Sequence, residues 1–180
     1  MNSKKPIVIN FFGEPSSGKS CAASYVFYQL KKQGYNIEYL QEFAKKKLYE
    51  NNTMAFSCEP YIFAKQLYDL QILANSVDIV VTDCPLLLPA IYENDLRAKV
   101  ILTQMEMYYF DKFNNINFFL IRDHSYQTQG RFETEAEANQ KNDEIINMLK
   151  NNNVFFTSVL ASKIDETFIE NLKQKIDKSL

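Results

Sequence analysis

Glycine is scarce in this chain. Four of 180 residues are glycine, and two of these, Gly13 and Gly18, share one short loop. Gly34 stands where a helix over residues 21–32 runs out, a common site for a left-handed cap, and Gly130 lies in a polar segment flanked by arginines. Three cysteines without motif spacing, Cys21, Cys58 and Cys84, suggest neither a disulfide framework nor a zinc site. A reduced, cytoplasmic setting is therefore expected. The single histidine, His124, makes neither a metal cluster nor a catalytic triad. No apolar run approaches the roughly eighteen residues of a membrane helix, and the polar start followed by a strand-length apolar run does not resemble a signal peptide. A net charge of −2 and a pI of about 5.5 give no global attraction to nucleic acid or to an anionic membrane. The remaining composition, 46% hydrophobic and 23% charged, is that of a globular chain, and its length suits one domain spanning 1–180.

Strand-like and helix-like patterns alternate. Apolar runs at residues 7–12, 37–40, 78–83, 116–121 and 154–160 read as strands. Helices are expected over 21–32, 42–50, 60–76, 95–113, 133–150 and 165–178. In the third of these, Tyr61, Ala64, Leu67, Tyr68 and Gln71 recur at helical spacing. Residues 53–58 read as a loop, and Pro85 to Pro89 as a break. Strands separated by helices imply an α/β fold, a mostly parallel sheet with helices on both faces. In such a sheet ligands bind beyond the carboxyl ends of the strands.

One stretch carries most of the chemistry. Gly13-Glu14-Pro15-Ser16-Ser17-Gly18-Lys19-Ser20 matches the phosphate-binding pattern G-x-x-x-x-G-K-[ST], between an expected strand and an expected helix. Glycines let backbone N–H groups turn inward around phosphate oxygens, and a helix N-terminus adds partial positive charge. Gly13, Ser16, Ser17, Gly18, Lys19, Ser20 and Cys21 are thus the expected nucleotide-binding residues. Lys19 would reach the β- and γ-phosphates of ATP, and Ser20 would ligate Mg²⁺.

Acidic and basic residues punctuate the other strand ends. Asp83 closes an apolar strand, where a carboxylate can hold the metal's water shell. The bland alternative is a carboxylate capping the turn before Pro85. Glu42 follows the second strand, placed either to accept a proton from an attacking hydroxyl or to stabilise a helix N-terminus. Arg122 and Arg131 bracket a polar segment that suits a lid over about 122–133, closing guanidinium donors onto a transferring phosphoryl group. Thr134 to Glu137 fits a capping box. Gln66 lies on the substrate-side helix, where its amide suits a ring edge or an amide, or simply solvent. Lys45 to Lys47 reads as a solvated helix face. No glutamate follows Asp83, so the usual water-activating base of motor-type ATPases is missing at that point, and phosphoryl transfer to a bound acceptor is favoured.

The chain resembles small P-loop kinases, in particular the nicotinamide riboside kinase domain of the bacterial NAD-biosynthesis regulator and related bacteriophage AAA-type ATPase/kinase proteins. The likeness rests on the loop at 13–20, on Gln41-Glu42-Phe43-Ala44-Lys45, on Thr82-Asp83-Cys84-Pro85-Leu86-Leu87-Leu88 with Tyr92, and on residues 130–138. It implies a three-layer P-loop NTPase fold, with strand order 2-3-1-4-5, and a MgATP-dependent phosphotransferase. It also implies Glu42 as general base or acceptor ligand, Asp83 at the metal, and Arg122 and Arg131 as lid arginines. Many relatives carry an arginine after the strand-three acid; Cys84 stands here, which favours an uncharged acceptor. The expected partner is a small nucleoside-like molecule, with a homodimer left open. Two other readings stay open: a kinase of a hydroxyl on modified DNA or another polymer, which needs a basic open groove, and a P-loop ATPase or switch acting on a protein partner.

Overall fold

A computed structural model of the chain describes residues 5–127 and 134–179. Its centre is a five-stranded sheet: β1 (Ile7–Phe12), β2 (Ile37–Leu40), β3 (Ile79–Thr82), β4 (Asn114–Ile121) and β5 (Thr157–Leu160). The order is β2-β3-β1-β4-β5, and every neighbouring pair runs parallel. Helices α1 (Lys19–Lys32), α2 (Phe43–Tyr49), α3 (Glu59–Ala74), α4 (Pro89–Tyr92), α5 (Leu96–Phe110), α6 (Glu135–Asn151) and α7 (Glu166–Ser179) fill the connections.

The period of two along β1 sorts the layers. Ile7, Ile9 and Phe11 pack with Ala23, Val26 and Leu30 of α1 and with Ile169, Leu172 and Ile176 of α7. On the opposite face Val8 meets α3 and α5, and Phe12 meets α4, α5 and α6. With strands on both sides and helices on both faces, β1 is buried throughout. Its one polar residue, Asn10, is 1% exposed. The Asn10 amide donates to Asn115 Oδ1 (2.9 Å), Asn117 Oδ1 (3.0 Å) and the Val8 carbonyl (3.2 Å). Asn115 and Asn117 in turn donate to the carbonyls of Phe110 and Phe155. A polar group inside the sheet is tolerated because each link is satisfied.

Several elements differ from the sequence reading. Residues 53–58 contain a 3-10 turn, Thr53–Ser57, held by the Asn52 side chain accepting from the Ala55 N–H. Pro89–Tyr92 forms a short helix inside the expected break. The last strand starts at Thr157 rather than 154, because Val154 serves the preceding helix. Asn153 adopts a left-handed φ of 55°, and Val154 N–H bonds the Leu149 carbonyl while Asn153 N–H bonds that of Lys150. That is a Schellman closure with its apolar plug, and Gly34 closes α1 in the same way. The buried face of α3 is rotated from the expected one: Glu59, Ile62, Phe63, Gln66, Leu67 and Leu70 are buried, while Tyr61 and Tyr68 are exposed. The capping box at Thr134 and Glu137 is present. Among the described residues no helix is long and apolar enough to cross a membrane.

Replacing Asn10 with Leu keeps the branched shape and removes the central donor. Urea unfolding is expected to show a loss of about 1–3 kcal/mol with little change in slope, the cost of leaving buried acceptors unmatched.

Candidate active site

At the tip of β1 the chain turns through Gly13, where φ is 145°. A Cβ there would sit 2.6 Å from Ser17 Oγ and 2.9 Å from the Leu120 carbonyl oxygen, so a side chain is excluded by space as well as by conformation. Ser16 takes a left-handed φ of 67°, a cost for a non-glycine residue that is met where a loop is over-determined by its surroundings. Gly18, at φ 90°, is the N-cap of α1. Lys19 folds back across the loop, its Nζ donating to the carbonyls of Gly13 and Glu14, both at 2.8 Å. Ser17 is wholly buried, and its Oγ has no hydrogen-bond partner among the described residues.

This loop lies in the middle of a cavity of ≈ 1260 Å³. On one side are Ala161, Ser162 and Ile164 after β5, together with His124. On the other are α2, the 3-10 turn, α3 and α4, which contribute Glu42, Lys45, Tyr49, Phe56, Glu59 and Tyr92. Ser20 and Cys21, in the first turn of α1, line the cavity as well, with Ser20 half-buried and Cys21 exposed. The described lining holds five acids, Glu42, Glu59, Asp83, Asp123 and Glu137, against two lysines, Lys19 and Lys45. That is not the basic groove a polymer-directed kinase would need.

Asp83, 3% exposed, faces the same space, and its Oδ1 lacks a hydrogen-bond partner among the described residues. Tyr39 of β2 holds the carboxylate. Burial, and then the Asp83 charge to which its hydroxyl is hydrogen-bonded, pushes the Tyr39 phenol up. The turn after β3 is tied by Cys84 N–H donating to Thr82 Oγ1 at 3.1 Å. Cys84 is buried, and burial followed by Glu42 and Asp83 raises its thiol. Asp83 and Ser20 offer hard oxygen donors suited to Mg²⁺, a metal that usually keeps waters and phosphate oxygens in its shell. The loop and the oxygens of Ser20 and Asp83 around the cavity therefore fit a phosphate and its cation.

Glu42 occupies the N-cap position of α2, yet its side chain makes no capping hydrogen bond and lines the cavity. Gln66 is placed differently from the sequence expectation. It is 0% exposed, accepting from Phe43 N–H at 3.3 Å and donating to the Cys84 carbonyl at 3.1 Å. It braces the tips of β2 and β3 beneath the cavity, because the rotation of α3 turns it inward. Sequence reasoning also passed over Glu59, which precedes Pro60 at the start of α3. The signal was an acid directly before a helix-opening proline, on the segment that follows the Glu42 helix.

Arg122 lies beside the phosphate loop but already holds three acceptors: Glu14 (2.8 Å), Glu135 (2.9 Å) and Asn139 (2.7 Å). The Glu14–Arg122 pair is buried, with side chains 7% and 10% exposed. Next to it, Asp123 accepts from the backbone N–H and the hydroxyl of Ser162. Gln127 N–H donates to Ser16 Oγ at 3.0 Å. The start of the expected lid is thus stitched to both the loop and the turn after β5. Arg131 and residues 128–133 lie outside the described residues.

No family model matches the sequence, and no curated protein does. Solved structures do. A deoxyadenosine kinase from M. mycoides, solved with its products dCMP and a flexible dCDP, is 17% identical, with 95% of this chain and 99% of that one covered at a TM-score of 0.55. The crystal structure of APE1195 is 15% identical, with 97% and 96% covered at a TM-score of 0.50. At such identities the likeness concerns the fold. With the strand order and the loop, it establishes the three-layer α/β P-loop fold.

Replacing Arg122 with Ala strands a buried Glu14 carboxylate. Chemical denaturation is expected to report a loss of about 3 kcal/mol or more, and a second change, Glu14→Gln, should restore part of it.

Proposed function

We propose that this chain, as a single domain, is a MgATP-dependent kinase that transfers the γ-phosphoryl group to a hydroxyl of a small nucleoside-like acceptor. One observation carries the reading: the phosphate loop stands at the middle of a two-sided cavity, with Glu42 on one side and the turn after β5 on the other. The fold shared with a deoxyadenosine kinase supports it, as does the likeness of residues 13–20, 41–45 and 82–88 to nicotinamide riboside kinase domains and phage relatives. The acid-rich wall favours a small acceptor over DNA. Cys84 in place of a glutamate favours transfer over hydrolysis. A cytoplasmic setting follows from ATP as donor and from cysteines without a pairing pattern.

In this reading the backbone amides of the loop over residues 13–20 bind phosphate oxygens. Lys19 exchanges its two loop carbonyls for the β- and γ-phosphates, so donor binding replaces an internal contact that is already made. Ser20 and Asp83 would hold Mg²⁺, which would supply neutralisation of phosphate charge. Glu42 orients the acceptor hydroxyl and takes its proton as the new O–P bond forms and the bond to the β-phosphate oxygen breaks. Gln66 fixes the backbone that carries Glu42 relative to Cys84, and so acts as a positioning residue. Arg122 and Arg131 stabilise charge on the transferring group. For Arg122 this requires release of an acceptor such as Glu135, the most exposed of its carboxylate partners.

The test is a screen of nucleosides, nucleotides and nicotinamide riboside as acceptors, read by ADP formation. Acceptor-dependent ADP release is expected, and release independent of any acceptor would favour the ATPase reading. Lys19→Ala should abolish turnover. Glu42→Gln should lower kcat by about 10²-fold or more and leave ATP affinity nearly unchanged.

A further inference from the structure

We propose that Glu59 is an acceptor-binding residue, and that the chamber between α2, the 3-10 turn, α3 and α4 selects an acceptor bearing hydroxyl or amino donors and no phosphate. This rests on the phosphotransfer reading above and narrows its substrate class.

Glu59 is the first residue of α3, followed directly by Pro60. It is 8% exposed and lines the cavity, and its carboxyl has no hydrogen-bond partner among the described residues. A carboxylate so placed is costly unless a donor reaches it. The described residues supply none. Lys141 of α6 is near enough to act on it electrostatically, yet Lys141 Nζ donates to the Ile91 carbonyl and to Glu144, both at 3.0 Å. The other charged groups facing Glu59 are acids: Glu93 in the link after α4 and Glu106 of α5. Glu106 is itself fully buried, with one oxygen accepting from Ala90 N–H and the other unmatched. The Glu59 carboxyl, set in the cavity wall, is therefore placed to accept from a donor on the ligand.

The far wall sharpens the selection. Glu42 faces the same half of the cavity, and Lys45, the one lysine among the described residues lining that half, is exposed. A phosphate monoester brought between Glu42 and Glu59 would meet two carboxyl groups. Hydroxyl or amino groups meet two acceptors instead, and a cationic ring gains from the same field. Tyr49, Phe56 and Tyr92 provide apolar and aromatic wall for the body of such a molecule.

Protonation adds a signature. Burial, and then the Glu93 charge, raises Glu59 to about 7, with Lys141 opposing. Below that pH the group is neutral and a weaker acceptor, so acceptor affinity should rise as pH climbs through 7.

The experiment is calorimetric titration of nucleosides, nicotinamide riboside and the corresponding 5′-monophosphates into the full chain, with a non-hydrolysable ATP analogue and Mg²⁺ present. At least one unphosphorylated member should bind more tightly than its monophosphate. Glu59→Gln should weaken it by about tenfold or more, the share of one charge-assisted hydrogen bond, and should flatten the pH profile near 7. Glu59→Asp should retain the pH dependence. Unchanged affinity in Glu59→Gln, tighter binding of the monophosphates, or no binding of any member would each overturn the proposal. Binding of a fluorescent ATP analogue to wild type and to Lys19→Ala, measured in parallel, tests the phosphate loop separately. The broader kinase reading can thus survive when this inference fails.

Discussion

Everything at the site follows from how completely β1 is enclosed. A strand with parallel neighbours on both edges and helices over both faces cannot carry reactive groups along its length. Asn10 marks the limit of what is allowed, an amide whose partners are two other amides and a carbonyl. Polar chemistry is displaced to the ends of the strands. Because all five run the same way, their carboxyl ends converge on one rim. The phosphate loop, Glu42, Asp83 and Arg122 each follow a different strand and still share one neighbourhood.

That rim is held by contacts that do not themselves face a ligand. Gln66 ties the start of α2 to the turn after β3, and Tyr39 steadies Asp83. Arg122 anchors Glu14 of the loop to the N-terminal turn of α6. Loop strain at Ser16 and the buried unmatched oxygens of Ser17 and Asp83 persist inside this frame. Such costs are kept where binding recovers them.

Much of this was legible in the chain. Five mostly apolar runs announced a sheet, and the loop at 13–20 announced itself because its backbone demands particular residue types at particular places. Glu42 and Asp83 were visible as acids at strand ends. What escaped notice depended on rotation and on long-range partners. A small change in the facing of α3 moved Gln66 from wall to brace and brought Glu59 into the cavity. Val154 looked like a strand residue because an apolar plug after a helix has the same composition as a strand's first residue. The engagement of Arg122 with Glu14 joins residues 108 positions apart, and no local pattern encodes it.

Arg122 and Asp123 are consecutive, and they grip opposite shores of the cleft: one holds Glu14 before the loop's helix, the other holds Ser162 beyond β5. A peptide unit between them fixes the spacing of both. An insertion or deletion at that junction would leave Arg122 anchored by β4 and carry its neighbour out of reach of Ser162, so this dipeptide sets the gauge of the cleft. Variation in cleft width among descendants of this chain would have to be achieved elsewhere.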